Sequence, residues 1–235
     1  VQMTILCVEG FKKHFFIHHL NKKISAVNEV NFTVEKGEFI GIVGKSGSGK
    51  STILKSIYRS YLPDEGAIIY DSDFFGAIDL CKATEREIVY LRKHEIGYVS
   101  QFLNVMPRIT ARQLVENALL EIGVDKMTAK SRTVEALHHF ELDKSLWDTY
   151  PNTFSGGEKL RLNIAIATVK KPRLLLLDEP TASLDDRSKI KVREMIQKLK
   201  QDGTTLIGIF HDLQFMDGLC DKVYTMETKD KVGVE

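Results

Sequence analysis

The stretch Gly44-Lys45-Ser46-Gly47-Ser48-Gly49-Lys50-Ser51-Thr52 follows the apolar run Phe39-Ile40-Gly41-Ile42-Val43 and leads into a helical pattern. A strand, a glycine-rich loop and a helix in that order are the setting of a phosphate-binding loop. The glycines let the backbone fold around an oxyanion, so that successive N–H groups and a helix N-terminus point at phosphate charge. Gly44, Ser46, Gly47, Ser48, Gly49, Lys50, Ser51 and Thr52 are therefore candidate phosphate ligands. Lys50 would reach the β- and γ-phosphates and the Ser51 hydroxyl would hold Mg²⁺. A glycine- and serine-rich surface turn is the plainer alternative, and both spacing and context favour the phosphate loop. The expected ligand is a nucleoside triphosphate.

The chain has 235 residues, 43% of them hydrophobic, enough for one α/β domain or a core with a subdomain. Lys+Arg 33 against Asp+Glu 32 leaves a formal charge of +1, so no global basic field favours nucleic acid and no acidic field repels it; charge leaves the partner open, and nucleic acid is not among the partners expected. Cys7, Cys81 and Cys220 are widely spaced and match neither a disulfide framework nor a zinc ligand set, which suggests a reducing cytoplasm. No apolar run approaches the roughly 20 residues needed to span a bilayer. A membrane role is expected to run through a partner.

Strand candidates recur at Thr4 to Val8, Phe39 to Val43, Ala67 to Tyr70, Ile96 to Val99, Leu174 to Leu177, Leu206 to Phe210 and Val223 to Met226. Those starting at 39, 174 and 206 are apolar almost throughout, as a parallel strand covered by helices on both faces requires. Val192, Met195, Ile196 and Leu199 fall at helical spacing until Gly203, giving a crossover helix between the last two of these strands. Between about Thr110 and Phe140 strand signals vanish, and Leu114, Ala118, Leu119, Ile122, Val134, Leu137 and Phe140 keep helical period. This reads as an inserted helical subdomain. Glu227 to Glu235 read as a frayed tail.

Leu174-Leu175-Leu176-Leu177-Asp178-Glu179-Pro180 is an apolar strand ending in two carboxylates, where α/β sheets place ligands. Asp178 there can organise Mg²⁺, and Glu179 can polarise an attacking water. Phe154-Ser155-Gly156-Gly157-Glu158 opens a second helix. It can be another anion-binding helix end or a helix-capping turn. His18-His19 and His138-His139 suggest metal at first sight, but adjacent side chains point apart and no Cys or Asp cluster joins them.

Together, the loop at 44 to 52, Gln101 after a strand, Ser155-Gly156-Gly157, Asp178-Glu179-Pro180, the turn Ala182-Ser183-Leu184-Asp185 and His211 at a strand end resemble the ATP-binding cassette (ABC) ATPases. The resemblance covers essentially the whole chain. It implies an α/β P-loop NTPase of ABC type, with a mainly parallel core sheet, an antiparallel β part and the inserted helical subdomain. It treats 1–235 as one ATP-binding domain, with 1–100 and 160–228 as nucleotide-binding core and 101–159 as the helical part. It implies ATP and Mg²⁺ as cofactors, and hydrolysis with Glu179 and His211 catalytic. Ser51, Gln101 and Asp178 would attend the metal, and Gln101 would also sense the γ-phosphate. Ser155, Gly156, Gly157 and Glu158 would face ATP held by a second cassette, in a homodimer or heterodimer closing head to tail. Asp185 would lie across that interface. Phe15 would stack on adenine, with Phe16 as the close second; core packing is the other reading of Phe15.

Within this family the segments Ser56 to Gly66, Tyr98 to Ile109, Thr153 to Glu158 and Gly208 to Asp212 look like the PhnL-type subunits of the phosphonate carbon–phosphorus lyase system. That resemblance implies soluble phosphonate-lyase subunits as partners, and a place in a ribose methylphosphonate triphosphate synthase complex. The default for a lone cassette is the ATPase subunit of a membrane ABC transporter, with a membrane permease as partner. Departures from the wider pattern are Phe154 for leucine, Glu158 for glutamine, and Ile166-Ala167-Thr168 for Ala-Arg-Ala. The charge of Glu158 is expected to oppose phosphate by like-charge repulsion.

Overall fold

The computed structural model describes residues 3–17, 22–100 and 108–226. Its centre is a five-stranded sheet in the order β6-β7-β8-β3-β9, formed by β3 (Phe39–Val43), β6 (Ile96–Ser100), β7 (Leu174–Asp178), β8 (Thr205–Ile209) and β9 (Lys222–Thr225). All four pairings are parallel. Side chains alternate between two separate cores. Phe39, Leu175, Leu177 and Leu206 pack on one face with the helices α3 (Ala111–Glu121), α4 (Lys126–His139), α5 (Gly156–Thr168) and α6 (Asp186–Gln201). Ile40, Ile42, Leu174, Leu176, Ile207 and Ile209 pack on the other, against α1 (Lys50–Ile57) and a second sheet. A strand buried on both faces must be apolar at every position, which is why β7 and β8 are continuous hydrophobic runs.

The second sheet is antiparallel, in the order β2-β1-β4-β5, from β1 (Thr4–Ile17), β2 (Lys22–Glu35), β4 (Glu65–Ser72) and β5 (Gly76–Asp79). β1 runs nine residues past the expected strand end at Val8. Its register on β2 shifts between Val8 and Phe11, where Gly10 takes φ 57° and its N–H donates to Asn31 Oδ1 at 2.7 Å. Such a bulge breaks the period-two alternation on which a strand reading depends. β2 carries too many polar residues, and β5 is too short at four residues, to stand out by hydrophobicity. The expected strand limits at 67–70, 206–210 and 223–226 move by one or two residues.

α2 (Glu85–His94) precedes β6, and the short α7 (Leu213–Met216) follows β8. Between 111 and 139 the secondary structure is α3 and α4, as the periodicity suggested. α5 runs without a break through position 160, where the core was expected to resume. Trp147 anchors this helical region: it is 2% exposed and its indole N–H donates to the Leu142 carbonyl at 2.9 Å. Among the described residues no helix is long and apolar enough to cross a membrane.

The Leu176 side chain is fully buried between β6 and β8. Leu176→Ala is expected to lower unfolding free energy by about 2–5 kcal/mol, through lost burial and the cavity left behind, as a shifted urea midpoint would report.

Candidate functional site

The parallel register brings the chemistry to one end of the sheet. Ile42 of β3 pairs with Ile209 of β8, and Asp178 of β7 pairs with the same Ile209. The phosphate-loop segment after β3, the Asp178-Glu179 pair ending β7 and His211 after β8 are therefore neighbours. Ser46, Gly47, Gly49, Lys50, Ser51, Thr52, Glu179, His211 and Ala26 line one cleft of about 330 Å³. Ala26 is the member that sequence reading missed, since an alanine in an irregular strand carries no chemical signal.

The loop is shaped by close approach. Gly49 has φ 88°, and a Cβ there would lie 2.3 Å from the Ala26 carbonyl oxygen. As the residue before α1, it offers no side chain to cap the first turn, whose N–H groups are left facing the cleft. From α2 to α7, each helix has its first turn capped by a Thr, Asp or Ser side chain. The buried Lys50 ammonium donates to the carbonyls of Gly44 at 2.8 Å and Lys45 at 3.0 Å. The Ser48 hydroxyl is buried without a hydrogen-bond partner in the protein. Donors directed inward around a glycine-shaped loop suit a phosphate chain.

Ser51 Oγ donates to Asp178 Oδ1 at 2.8 Å, and the Tyr98 hydroxyl donates to Asp178 Oδ2. Burial, and then the Asp178 carboxylate, push the Tyr98 hydroxyl well above the usual tyrosine range. No group of three or more His, Cys, Asp or Glu side chains could hold a metal among the described residues. The paired hydroxyl and carboxylate oxygens of Ser51 and Asp178 nevertheless fit Mg²⁺, which takes one or two protein oxygens and completes its shell with phosphate and water.

Glu179 Oε1 lies 2.9 Å from His211 Nε2. Glu179 also takes φ 49°, a left-handed backbone that costs a side-chain-bearing residue about 1–3 kcal/mol and recurs at functional positions. Its N–H donates to the Ile209 carbonyl at 3.0 Å, which ties the strained residue to β8.

Ser155, Gly156, Gly157 and Glu158 do not line this cleft. Ser155 caps α5: its hydroxyl accepts from the Glu158 N–H, and Glu158 Oε2 accepts from the Ser155 N–H at 2.8 Å. The Glu158 carboxylate is thereby bound back into its own helix end, which tempers the repulsion expected of it. A Cβ on Gly157 would meet Ser188 Oγ at 2.7 Å, so α5 and α6 touch closely at their N-termini. Asp185 caps α6 through Oδ1 and the Ser188 N–H at 2.7 Å, and these backbone hydrogen bonds hold its carboxyl below the usual range. Phe15 is absent from the cleft wall; its ring sits edge-on to Tyr61 at 5.3 Å, with the Lys13 ammonium 5.4 Å from its centre. Phe16 is 51% exposed. Gln101 and the 227–235 tail lie outside the described residues.

The family profile described as "ABC transporter" matches residues 27–182. The uncharacterized ABC transporter ATP-binding protein YvrO of Bacillus subtilis is 36% identical over 191 residues, 81% of each chain. The cell division ATP-binding protein FtsE of the same organism is 33% identical over 204 residues, 87% of this chain and 86% of its own. The solved dimer of the ATP-binding cassette MJ0796, from Methanocaldococcus jannaschii, in a post-hydrolysis state with ADP and Pi, superposes with a TM-score of 0.85. That match is at 29% identity over 95% of this chain and 94% of the other. The profile spans both the phosphate loop and the Asp178-Glu179 strand end, and the chain belongs to the ABC transporter family as an ATP-binding and ATP-hydrolysing cassette.

Proposed function

We propose that the chain is the energy-coupling ATPase subunit of a membrane ABC transporter, working at the cytoplasmic face as one of two cassettes that close head to tail over ATP. The observation that carries the head-to-tail pairing is the division of the molecule's anion-directed features. The cleft gathers the phosphate loop, Glu179 and His211, while Ser155 and Gly156 stand exposed outside it beside the Ser183–Asp185 turn. A site completed by Ser155, Gly156 and Gly157 of a second cassette makes turnover conditional on closure, since phosphoryl transfer depends chiefly on positioning and charge neutralisation. The dimeric form in which MJ0796 was solved supports the pairing.

In this scheme Lys50 and the α1 N–H groups bind the β- and γ-phosphates. Mg²⁺, when held by Ser51 and Asp178, supplies neutralising charge at the phosphate oxygens. Glu179 orients and polarises the attacking water, and His211 keeps the Glu179 carboxylate in place through the 2.9 Å contact. Gln101 would sense the γ-phosphate, Asp185 would lie at the interface, and Phe15, with Tyr61 behind it, would meet adenine.

The transporter reading is preferred to the phosphonate-lyase reading because YvrO is described as a transporter ATP-binding protein. The lyase reading retains the support of the segments around Tyr61, Phe102 and Phe154. Mass spectrometry of proteins retained by tagged Glu179→Gln in ATP and Mg²⁺ separates the two. A permease held through detergent is the expected result, and soluble phosphonate-lyase subunits would overturn it.

The same variant is expected to lose ATP turnover by about 100-fold or more while light scattering detects an ATP-dependent dimer, because the amide keeps the shape and loses the base. Unchanged turnover would remove Glu179 from its assigned role. Gly49→Ala is expected to weaken binding of a fluorescent ATP analogue by about 10-fold or more, since φ 88° and the Ala26 carbonyl leave no room for a methyl group. Wild-type affinity would contradict the phosphate-loop assignment.

A further inference from the structure

We propose that Tyr98 is a positioning residue that fixes the Asp178 carboxylate and thereby sets how tightly the nucleotide site holds a divalent cation. The inference rests on the reading of Ser51 and Asp178 as the cation's protein oxygens.

The two Asp178 oxygens have separate partners: Oδ1 accepts from Ser51 Oγ at 2.8 Å and Oδ2 accepts from the Tyr98 hydroxyl. Asp178 is 8% exposed, so little water is at hand to replace either contact. A carboxylate bound at one oxygen can turn about its Cβ–Cγ bond, whereas one bound at both presents Oδ1 to Ser51 in a fixed orientation.

Tyr98 is itself held from behind. Its ring lies 5.1 Å from the Tyr58 ring, and the Arg92 guanidinium stands 4.7 Å from the centre of Tyr58. Arg92 Nε also donates to the Tyr58 carbonyl at 2.9 Å. Tyr58 ends the helix that Lys50 begins, and it falls two turns from Ser51 on the same helix face. The contacts therefore close a ring: Ser51 to Asp178, Asp178 to Tyr98, Tyr98 to Tyr58, and Tyr58 back along α1 to Ser51. Asn163 of α5 steadies the end of β6, its Nδ2 donating to the Ser100 carbonyl at 3.0 Å. Tyr98 thus spans α1 and β7 from a third element.

Tyr98→Phe keeps the ring against Tyr58 and removes only the hydroxyl. The test compares affinity for a fluorescent ADP analogue in EDTA and across a Mg²⁺ titration, in wild type, Tyr98→Phe and Asp178→Asn. For Tyr98→Phe, binding in EDTA is expected to stay within about twofold of wild type, while the Mg²⁺ concentration for half-maximal tightening rises about 10-fold, the scale on which partners of metal ligands act. An unchanged Mg²⁺ midpoint would overturn the inference. An equal loss in EDTA and in Mg²⁺ would also overturn it, because Tyr98 would then support the loop rather than the cation. If wild type shows no Mg²⁺ response, or Asp178→Asn responds like wild type, the assignment of the cation site fails instead.

Discussion

Parallel pairing of β7, β8 and β3 between two sealed hydrophobic faces is the constraint from which the site follows. Residues 174 to 177 are wholly buried and alternate between the two cores, so a slip of one residue would exchange every side chain between faces. The register that avoids this exchange also sets Asp178 opposite Ile209 and Ile42 opposite the same residue. Chemistry that is widely separated in sequence meets because the core allows only this pairing. The polar residues begin where the apolar runs stop, at the carboxyl ends of the strands.

Charge is arranged with similar economy. Among the described α-helices every N-terminus but that of α1 is satisfied from within: Thr84, Thr110, Asp125, Ser155, Asp185 and Asp212 each cap the helix that follows. α1 begins from Gly49 and leaves its first-turn donors to the cleft. Local caps account for acidic groups that look out of place in the sequence. Glu158 bonds to the Ser155 N–H, and Asp185 to the Ser188 N–H. Glu158, expected to face ATP held by a second cassette, and Asp185, expected at the interface, thus also cap their own helices, each through one carboxylate oxygen.

The core sheet was legible because doubly buried strands leave an unambiguous apolar record, as in Leu174 to Leu177, and because the phosphate loop has a rigid spacing. β2 and β5 were not legible. The edge strand β2 carries lysines and asparagines that a solvated edge tolerates, and β5 is four residues long. The bulge at Gly10 hid the far half of β1. Within the site, Lys50, Ser51, Glu179 and His211 were identifiable by type and position. Tyr98 was not, because its role depends on a contact across 80 residues of sequence that no local spacing encodes. The helix-capping turn left open for Ser155-Gly156-Gly157 is present, closed by Glu158 three residues on from Ser155.

α5 links the Ser155 helix end to the central sheet. It begins at Ser155, touches α6 through Gly157 and Ser188, and is tied near its middle to the end of β6 by Asn163. A helix of this length is a stiff rod about 20 Å long, and this one is buried along its length at Leu160, Leu162, Ile164, Ala165 and Ala167. α5 thus joins the Ser155 helix end to the last residue of β6 through one continuous buried face and one amide hydrogen bond, so the two are parts of the same rigid packing unit.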